Sequence, residues 1–130
     1  LGLMDLQEPT RASDGTEVFV VPGPDPMRET LIPLNTEGRR QLGERFGEVP
    51  GRASLNRWRL NGYPVDRNGP RVMLPYLVRM KRVYTSTTAL VRWFRVIQEL
   101  GEEIRCAGGV SRWRKERENH GQERNRPHSG

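Results

Sequence analysis

The chain has 130 residues, which is enough for one folded domain and hardly for two. Its single cysteine excludes an internal disulfide, and one cysteine with two histidines argues against a structural zinc site. The net charge of +6 is uneven: two basic and six acidic residues lie in 1–30, whereas thirteen basic and four acidic residues lie in 31–98. No apolar run is long enough to span a membrane and no signal pattern begins the chain, so we expect a cytoplasmic protein without a membrane partner.

The basic central region favours a polyanionic partner, nucleic acid before an anionic membrane surface. Many soluble domains are simply basic, and composition alone leaves these interpretations about even. Arginine greatly outnumbers lysine, which suits bidentate contacts with phosphate or guanine, although a GC-rich genome would produce the same bias.

Residues 1–30 predict a flexible, acidic, Pro-rich arm. The β-like run 18–21 is followed at once by prolines 22, 24 and 26, which continue neither a helix nor an inner strand. An edge strand is the alternative for these four apolar residues, and a mobile arm is the preferred interpretation.

Two helices are predicted next. Asn35 is a suitable N-cap for a helix that runs to about Phe46. Residues 47–51 form a turn, and a second helix follows from Arg52 to Leu60, stopped by Asn61-Gly62. Within it, Leu55 and Trp58 are three apart and share an inward face, so we interpret the tryptophan as core rather than as a base-stacking group.

A hairpin and a third helix complete the predicted core. Residues 72–78 are β-rich with a proline at 75, residues 79–82 form the hairpin tip, and 83–84 return. Ser86 or Thr85 then caps a helix of about 87–100, in which Leu90, Trp93, Phe94 and Ile97 form an apolar stripe. Gly101 ends this helix, or it continues toward Ile104, and Gly108-Gly109 is its definite end. Residues 105–130 predict a disordered charged tail, in which Trp113 is interpreted as a stray exposed aromatic, with an anchor for a partner as the alternative.

The order helix, turn, helix, hairpin, helix is typical of a winged helix-turn-helix, whose second helix enters the DNA major groove. We therefore predict a mainly α fold with a small β-hairpin wing in residues 31–104, between a flexible arm and tail. Double-stranded DNA is the expected partner, and the two flexible ends are candidates for contact with a further protein.

Two segments resemble a known family. Residues 53–58, Ala-Ser-Leu-Asn-Arg-Trp, followed by Asn61-Gly62, are similar to the recognition helix of excisionase-like and MerR-like winged-helix proteins. Residues 82–94, Arg-Val-Tyr-Thr-Ser-Thr-Thr-Ala-Leu-Val-Arg-Trp-Phe, resemble the segment in which the wing of that family returns into its last helix. The likeness is strongest to small bacterial members.

This resemblance implies sequence-specific DNA binding, in transcription control or in recombination directionality. The chain departs from the pattern at Ala53, where the family has an N-cap serine, and at Gly38, where it has a helix-favouring alanine. The hairpin tip also lacks the usual pair of glycines.

Candidate DNA-binding residues follow from these placements. They are Arg52, Ser54, Asn56, Arg57 and Arg59 on the second helix, and Arg79, Lys81, Arg82 and Tyr84 on the hairpin. Arg52 and Asn56 are the preferred base readers because they lie in the first turns of the helix, and the hairpin cations are assigned to phosphates. A solvated surface role remains open for Arg57 and the hairpin cations, and packing is an equal alternative for Tyr84.

No arrangement of residues typical of catalysis is present, so we expect neither an enzyme nor a cofactor. The main alternative is a protein-interaction adaptor that has lost DNA contact, although its second helix and wing would be expected to be neutral. An RNA-binding domain is a third hypothesis, which the lack of an aromatic stacking platform argues against.

Overall fold

The computed structural model describes residues 9–125, and side chains from 9 to 118. Within this part the chain forms seven strands and four helices. The strands are β1 (Thr10–Arg11), β2 (Glu17–Val20), β3 (Ile32–Pro33), β4 (Tyr63–Pro64), β5 (Arg71–Met73), β6 (Leu77–Arg79) and β7 (Arg82–Thr85). The helices are α1 (Arg39–Phe46), which follows a π-helical turn at Leu34–Gly38, α2 (Arg52–Leu60), α3 (Thr87–Ala107) and α4 (Val110–Asn125).

The strands form two sheets, in the orders β1-β2-β5-β4 and β3-β7-β6. The pairing of β2 with β5 is parallel, with Val18 opposite Arg71, and the other pairings are antiparallel. The predicted mainly α fold with a small hairpin is therefore wrong: the fold is mixed α/β, and its larger sheet does not contain the hairpin β6–β7.

The larger sheet includes a strand from the segment expected to be a flexible arm. In β2, Phe19 is 3% exposed and Val21 just beyond it is 2% exposed. The strand lies between β1 and β5, so it is an inner strand rather than an edge. Its partner β5 is far away in sequence, and local patterns do not reveal such a pairing. Residues 1–8 of the predicted arm lie outside the described residues.

Helix α2 has the predicted bounds, and α1 reaches Phe46 as predicted. The expected cap is not used, because Asn35 lies inside the π-helical turn, which begins after Pro33 without a side-chain cap.

The turn between the helices packs tightly on α1. A Cβ added to Gly43 would lie 2.7 Å from Val49 Cγ2, so glycine at this helical position permits the close approach.

The predicted β-rich run is divided by Pro75 into β5 and β6, which belong to different sheets. Ser86 caps α3 as expected, since its hydroxyl accepts a hydrogen bond from the Ala89 amide at 3.0 Å. The helix passes Gly101 and ends at Gly108, whose φ of 92° is the left-handed conformation that glycine tolerates.

Helix α4 occupies the region predicted to be a disordered tail. Trp113 is 1% exposed, and its indole Nε1 donates to Glu103 at 2.9 Å. Arg114 makes hydrogen bonds of 2.9–3.0 Å to the Glu17 carboxylate, which joins α4 to β2. The prediction that Trp113 is exposed is wrong, because its burial depends on contacts with α3 that a single apolar residue in a polar segment does not signal. Residues 126–130 of the predicted tail lie outside the described residues.

The core assignment of Trp58, Trp93 and Phe94 is confirmed. Trp93 is fully buried, Phe94 is 8% exposed, and Trp58 is half-buried, with its ring centroid 5.9 Å from that of Trp93. Phe46 and Tyr63 complete this aromatic cluster. The cluster joins α1, α2 and α3, so it sets the position of α2 relative to the rest of the fold.

Candidate nucleic-acid interface

Helix α2 separates an inner face from a cationic outer face. Leu55 is fully buried and Trp58 points into the aromatic cluster, so the side chains on the opposite face of the helix point outward. Arg52, Asn56 and Arg57 are exposed. The three side chains carry two positive charges and an amide, which is the chemistry that contacts phosphates and base edges.

Arg59 differs from these three residues because it is packed. Its guanidinium lies over the ring of Tyr76, 4.8 Å from the centroid, and its Nε is buried with no hydrogen-bond partner among the described residues. Tyr76 directly precedes β6. This cation–π contact therefore places the end of α2 against the base of the hairpin.

Hairpin β6–β7 ends in a two-residue loop of Met80 and Lys81, between the paired residues Arg79 and Arg82. Both loop residues have positive φ, 48° and 66°, as a type I′ turn requires. Asn-Gly is favoured in such turns, and the left-handed conformation costs other residues roughly 1–2 kcal/mol each. Two arginines directly opposite each other add like-charge repulsion. The tip is thus held in an unfavourable conformation with three cations close together.

The remaining predicted hairpin residue, Tyr84, is half-buried. It pairs with Leu77 on one side and with Pro33 on the other, so it occupies the central strand of its sheet. These neighbours favour the packing interpretation of Tyr84. Ser54 on α2 is likewise half-buried.

The charge around α2 and the hairpin is not neutralised. Between positions 49 and 98 there are ten basic residues and one acidic residue, Asp66. Within residues 9–118, no carboxylate lies within ion-pair distance of the exposed cations of α2 and the hairpin tip, which are Arg52, Arg57, Arg79, Lys81 and Arg82. These residues form what we call the cationic surface.

Several acidic residues elsewhere are paired with arginines, Glu17 and Glu29 among them. Burial raises the pKa of Glu17, but hydrogen bonds and charge from Arg114 outweigh it, and the pKa is lowered overall. Glu29 is similar. Burial raises its pKa, but hydrogen bonds from Ser86 and Arg92 outweigh burial, and the pKa is lowered overall. The carboxylates therefore stabilise the fold and leave the cationic surface unopposed.

A polar cleft of about 470 Å³ lies on the larger sheet, away from the predicted site residues. Arg71 in its wall pairs with Asp14 at 3.4 Å, and Arg114 pairs with Glu17 at 2.9 Å. Since these charges already neutralise one another, the cleft is a weaker candidate site than the cationic surface.

The sequence-based list of site residues did not include Met80. Its side chain is 96% exposed at the centre of the hairpin tip. Its position between cations in the sequence could have indicated a site residue. An apolar residue in a predicted turn, however, does not by itself suggest a contact with a partner. The list also lacked Tyr76, whose role depends on the tertiary contact with Arg59.

Within residues 9–125, no helix has the length and apolar character needed to cross a bilayer. The same part of the chain has no group of three or more histidine, cysteine or acidic side chains arranged to hold a metal ion. Comparisons with protein families, curated proteins and solved structures found no match to this chain.

Proposed function

We propose that the chain binds double-stranded DNA through the cationic surface. The observation that carries this proposal is the unneutralised charge on two neighbouring elements, α2 and hairpin β6–β7, which the Arg59–Tyr76 contact holds together. Unpaired cations on two adjacent elements attract a polyanion, and the polyanion releases its counterions on binding.

In this proposal α2 lies in the major groove. A nine-residue helix is about 13 Å long, which suits a groove about 12 Å wide. Arg52 and Asn56 are four residues apart on one exposed face, so both reach the same side. Arginine pairs bidentately with guanine and asparagine with adenine, and these two residues are the proposed base readers.

The hairpin tip contacts the backbone beside the groove. Arg79, Lys81 and Arg82 are exposed and have the charge to bind phosphates. Arg57 adds a phosphate contact from α2. Arg59 and Tyr84 hold the interface in place rather than contact bases, because both are half-buried.

The proposed biological role is that of a transcription regulator or an excisionase-like recombination factor in the cytoplasm. The similarity of residues 53–58 and 82–94 to the recognition-helix and wing-to-helix segments of excisionase-like and MerR-like proteins supports it. This similarity concerns local segments, whereas the surrounding fold is mixed α/β.

A salt titration of binding to selected and random duplexes tests the proposal. Selection from random-sequence DNA supplies the preferred site. Arg52→Ala and Asn56→Ala should each weaken binding to that site by about 1–3 kcal/mol and change binding to random DNA little. The triple variant of Arg79, Lys81 and Arg82 to alanine should weaken both and reduce the salt slope by about one unit per lost contact.

Arg28→Ala is the matched control, because this arginine is 87% exposed and lies outside the cationic surface. It should bind like the wild type. An adaptor without DNA contact predicts no duplex binding even at low salt, and that result would refute the proposal. Tighter binding to RNA than to duplex DNA would assign the cationic surface to the third hypothesis instead.

A further inference from the structure

The tip of hairpin β6–β7 carries an apolar side chain that packing does not explain. Met80 is 96% exposed, more than the other large apolar side chains of the described residues. Its φ of 48° is a conformation that glycine or asparagine adopts more readily. Methionine here contributes neither to the core nor to turn geometry, so its side chain is available for a partner.

The surroundings of Met80 indicate the kind of partner. Arg79, Lys81 and Arg82 lie within two residues of it, and all three are exposed and without carboxylate partners among residues 9–118. An apolar, unbranched side chain surrounded by cations matches a minor groove, where phosphates line both walls and the edges of stacked base pairs form the floor. Proteins that kink DNA insert side chains of this type, methionine among them, between base pairs.

We propose that Met80 enters the minor groove and partly unstacks one base step, so that the chain bends the DNA it binds. This inference rests on the proposed DNA-binding function and adds a DNA deformation to it. The three cations hold the groove walls while the thioether contacts the base faces. Steps that unstack easily, such as TA and CA, would be preferred under the tip.

An anionic membrane surface offers a similar combination of negative charge and apolar interior. Membrane-surface binding, however, needs a broad apolar face, and the exposed large apolar side chains of the hairpin, Met80 and Val78, are too few to form one. The Arg59–Tyr76 contact also places the hairpin beside α2, whose exposed arginines and asparagine suit DNA. Both observations favour DNA.

Bending and unstacking can be measured separately from binding. Duplexes of the selected site, labelled at both ends for energy transfer and carrying 2-aminopurine at successive steps, would report both. The wild type should bend the duplex by roughly 20–90° and raise the fluorescence at one step. Met80→Ala should abolish both signals and weaken binding roughly 5- to 30-fold, whereas Met80→Leu, which keeps an insertable side chain, should retain them.

Met27→Ala is the matched control, since Met27 is 90% exposed in a loop outside the hairpin. It should leave bending and affinity unchanged, and thermal melts of all variants verify that each is folded. Wild-type binding without bending or unstacking would overturn the inference and leave the proposed function standing. Absence of duplex binding would overturn both. If Met80→Ala reduced binding to phosphatidylserine vesicles but left duplex binding and bending unchanged, the tip would be assigned to a membrane and the inference would be wrong.

Discussion

Gly43 in α1 packs against the turn before α2, and replacing it tests this packing. Alanine should lower the free energy of unfolding at this position, whereas it ordinarily raises it in a helix. Alanine in place of glycine in a helix interior ordinarily stabilises a protein by about 0.5–1 kcal/mol. At Gly43, however, the added Cβ would lie 2.7 Å from Val49 Cγ2 and 3.1 Å from Val49 Cα. The side chain and the backbone of the turn would both have to move.

The expected cost exceeds the gain in helix propensity. Forcing one extra carbon into a well-packed site typically costs about 1–3 kcal/mol. Gly43→Ala should therefore lower the free energy of unfolding by about 0.5–2 kcal/mol. Gly101→Ala is the matched control, because its Cβ would meet Val65 Cγ1 at an ordinary 3.7 Å. This second variant should stabilise the protein by about 0.5–1 kcal/mol.

Urea titration of the two variants, of Val49→Ala and of the double variant Gly43→Ala/Val49→Ala measures these effects. The double variant removes the closest contact, so it should recover part of the loss caused by Gly43→Ala, with a coupling energy of about 0.5 kcal/mol or more. If Gly43→Ala and Gly101→Ala stabilise the protein equally, the tight packing of the turn on α1 is wrong.

Three further outcomes are expected. Trp93→Ala should lower the free energy of unfolding by about 3–5 kcal/mol in the same titration, and an unchanged midpoint would contradict its core position. The pKa values of Glu17 and Glu29 are lowered from 4.5, so their contribution to stability is fully present above that pH and is lost as the pH falls through the lowered pKa values, because the unfolded chain then binds more protons. Glu17→Gln and Glu29→Gln should each be less stable at neutral pH and show a flatter loss in acid; an unaltered pH profile would refute the pairing. Met80→Asn/Lys81→Gly should raise the free energy of unfolding by about 1 kcal/mol in thermal melts while weakening duplex binding, and a lower melting temperature would show that the tip is not strained.

The elements that the sequence predicted well have local chemical markers. Helix α2 was predicted from the Leu55–Trp58 spacing and the Asn61-Gly62 stop, and the start of α3 from the hydroxyl of Ser86. Caps, glycine stops and helical spacing act over a few residues, and neighbours in the chain determine them.

The elements that it missed depend on distant partners. Strand β2 is paired with β5, and Trp113 in α4 belongs to the core cluster and donates a hydrogen bond to Glu103 of α3. The π-helical turn is also a tertiary feature, because a Cβ at Gly38 would lie 3.2 Å from the Thr85 methyl group. No local pattern contains this information.

The candidate site was predictable to the same degree. Charge and helical spacing indicated which surface is cationic, and the exposed positions of Arg52 and Asn56 agree with that expectation. The sequence did not predict which arginines of α2 are exposed and which are packed, since Arg59 packs on Tyr76, a residue distant in the chain. The function of the surface stays a proposal that the binding experiments test.

The parallel pairing of β2 with β5 has a consequence during synthesis. The two strands are separated by about 50 residues, which a ribosome adds in roughly 3–10 s. In that interval Phe19 and Val21, both nearly fully buried in the finished fold, have no strand to cover them. Pairing with another nascent chain is then a hazard, and aggregation-prone segments typically need about five to seven uninterrupted apolar residues. Glu17 on one side and Pro22 on the other limit the apolar run 18–21 to four residues. The proline that made the strand hard to predict from the sequence therefore also lowers its tendency to aggregate before β5 has been synthesised.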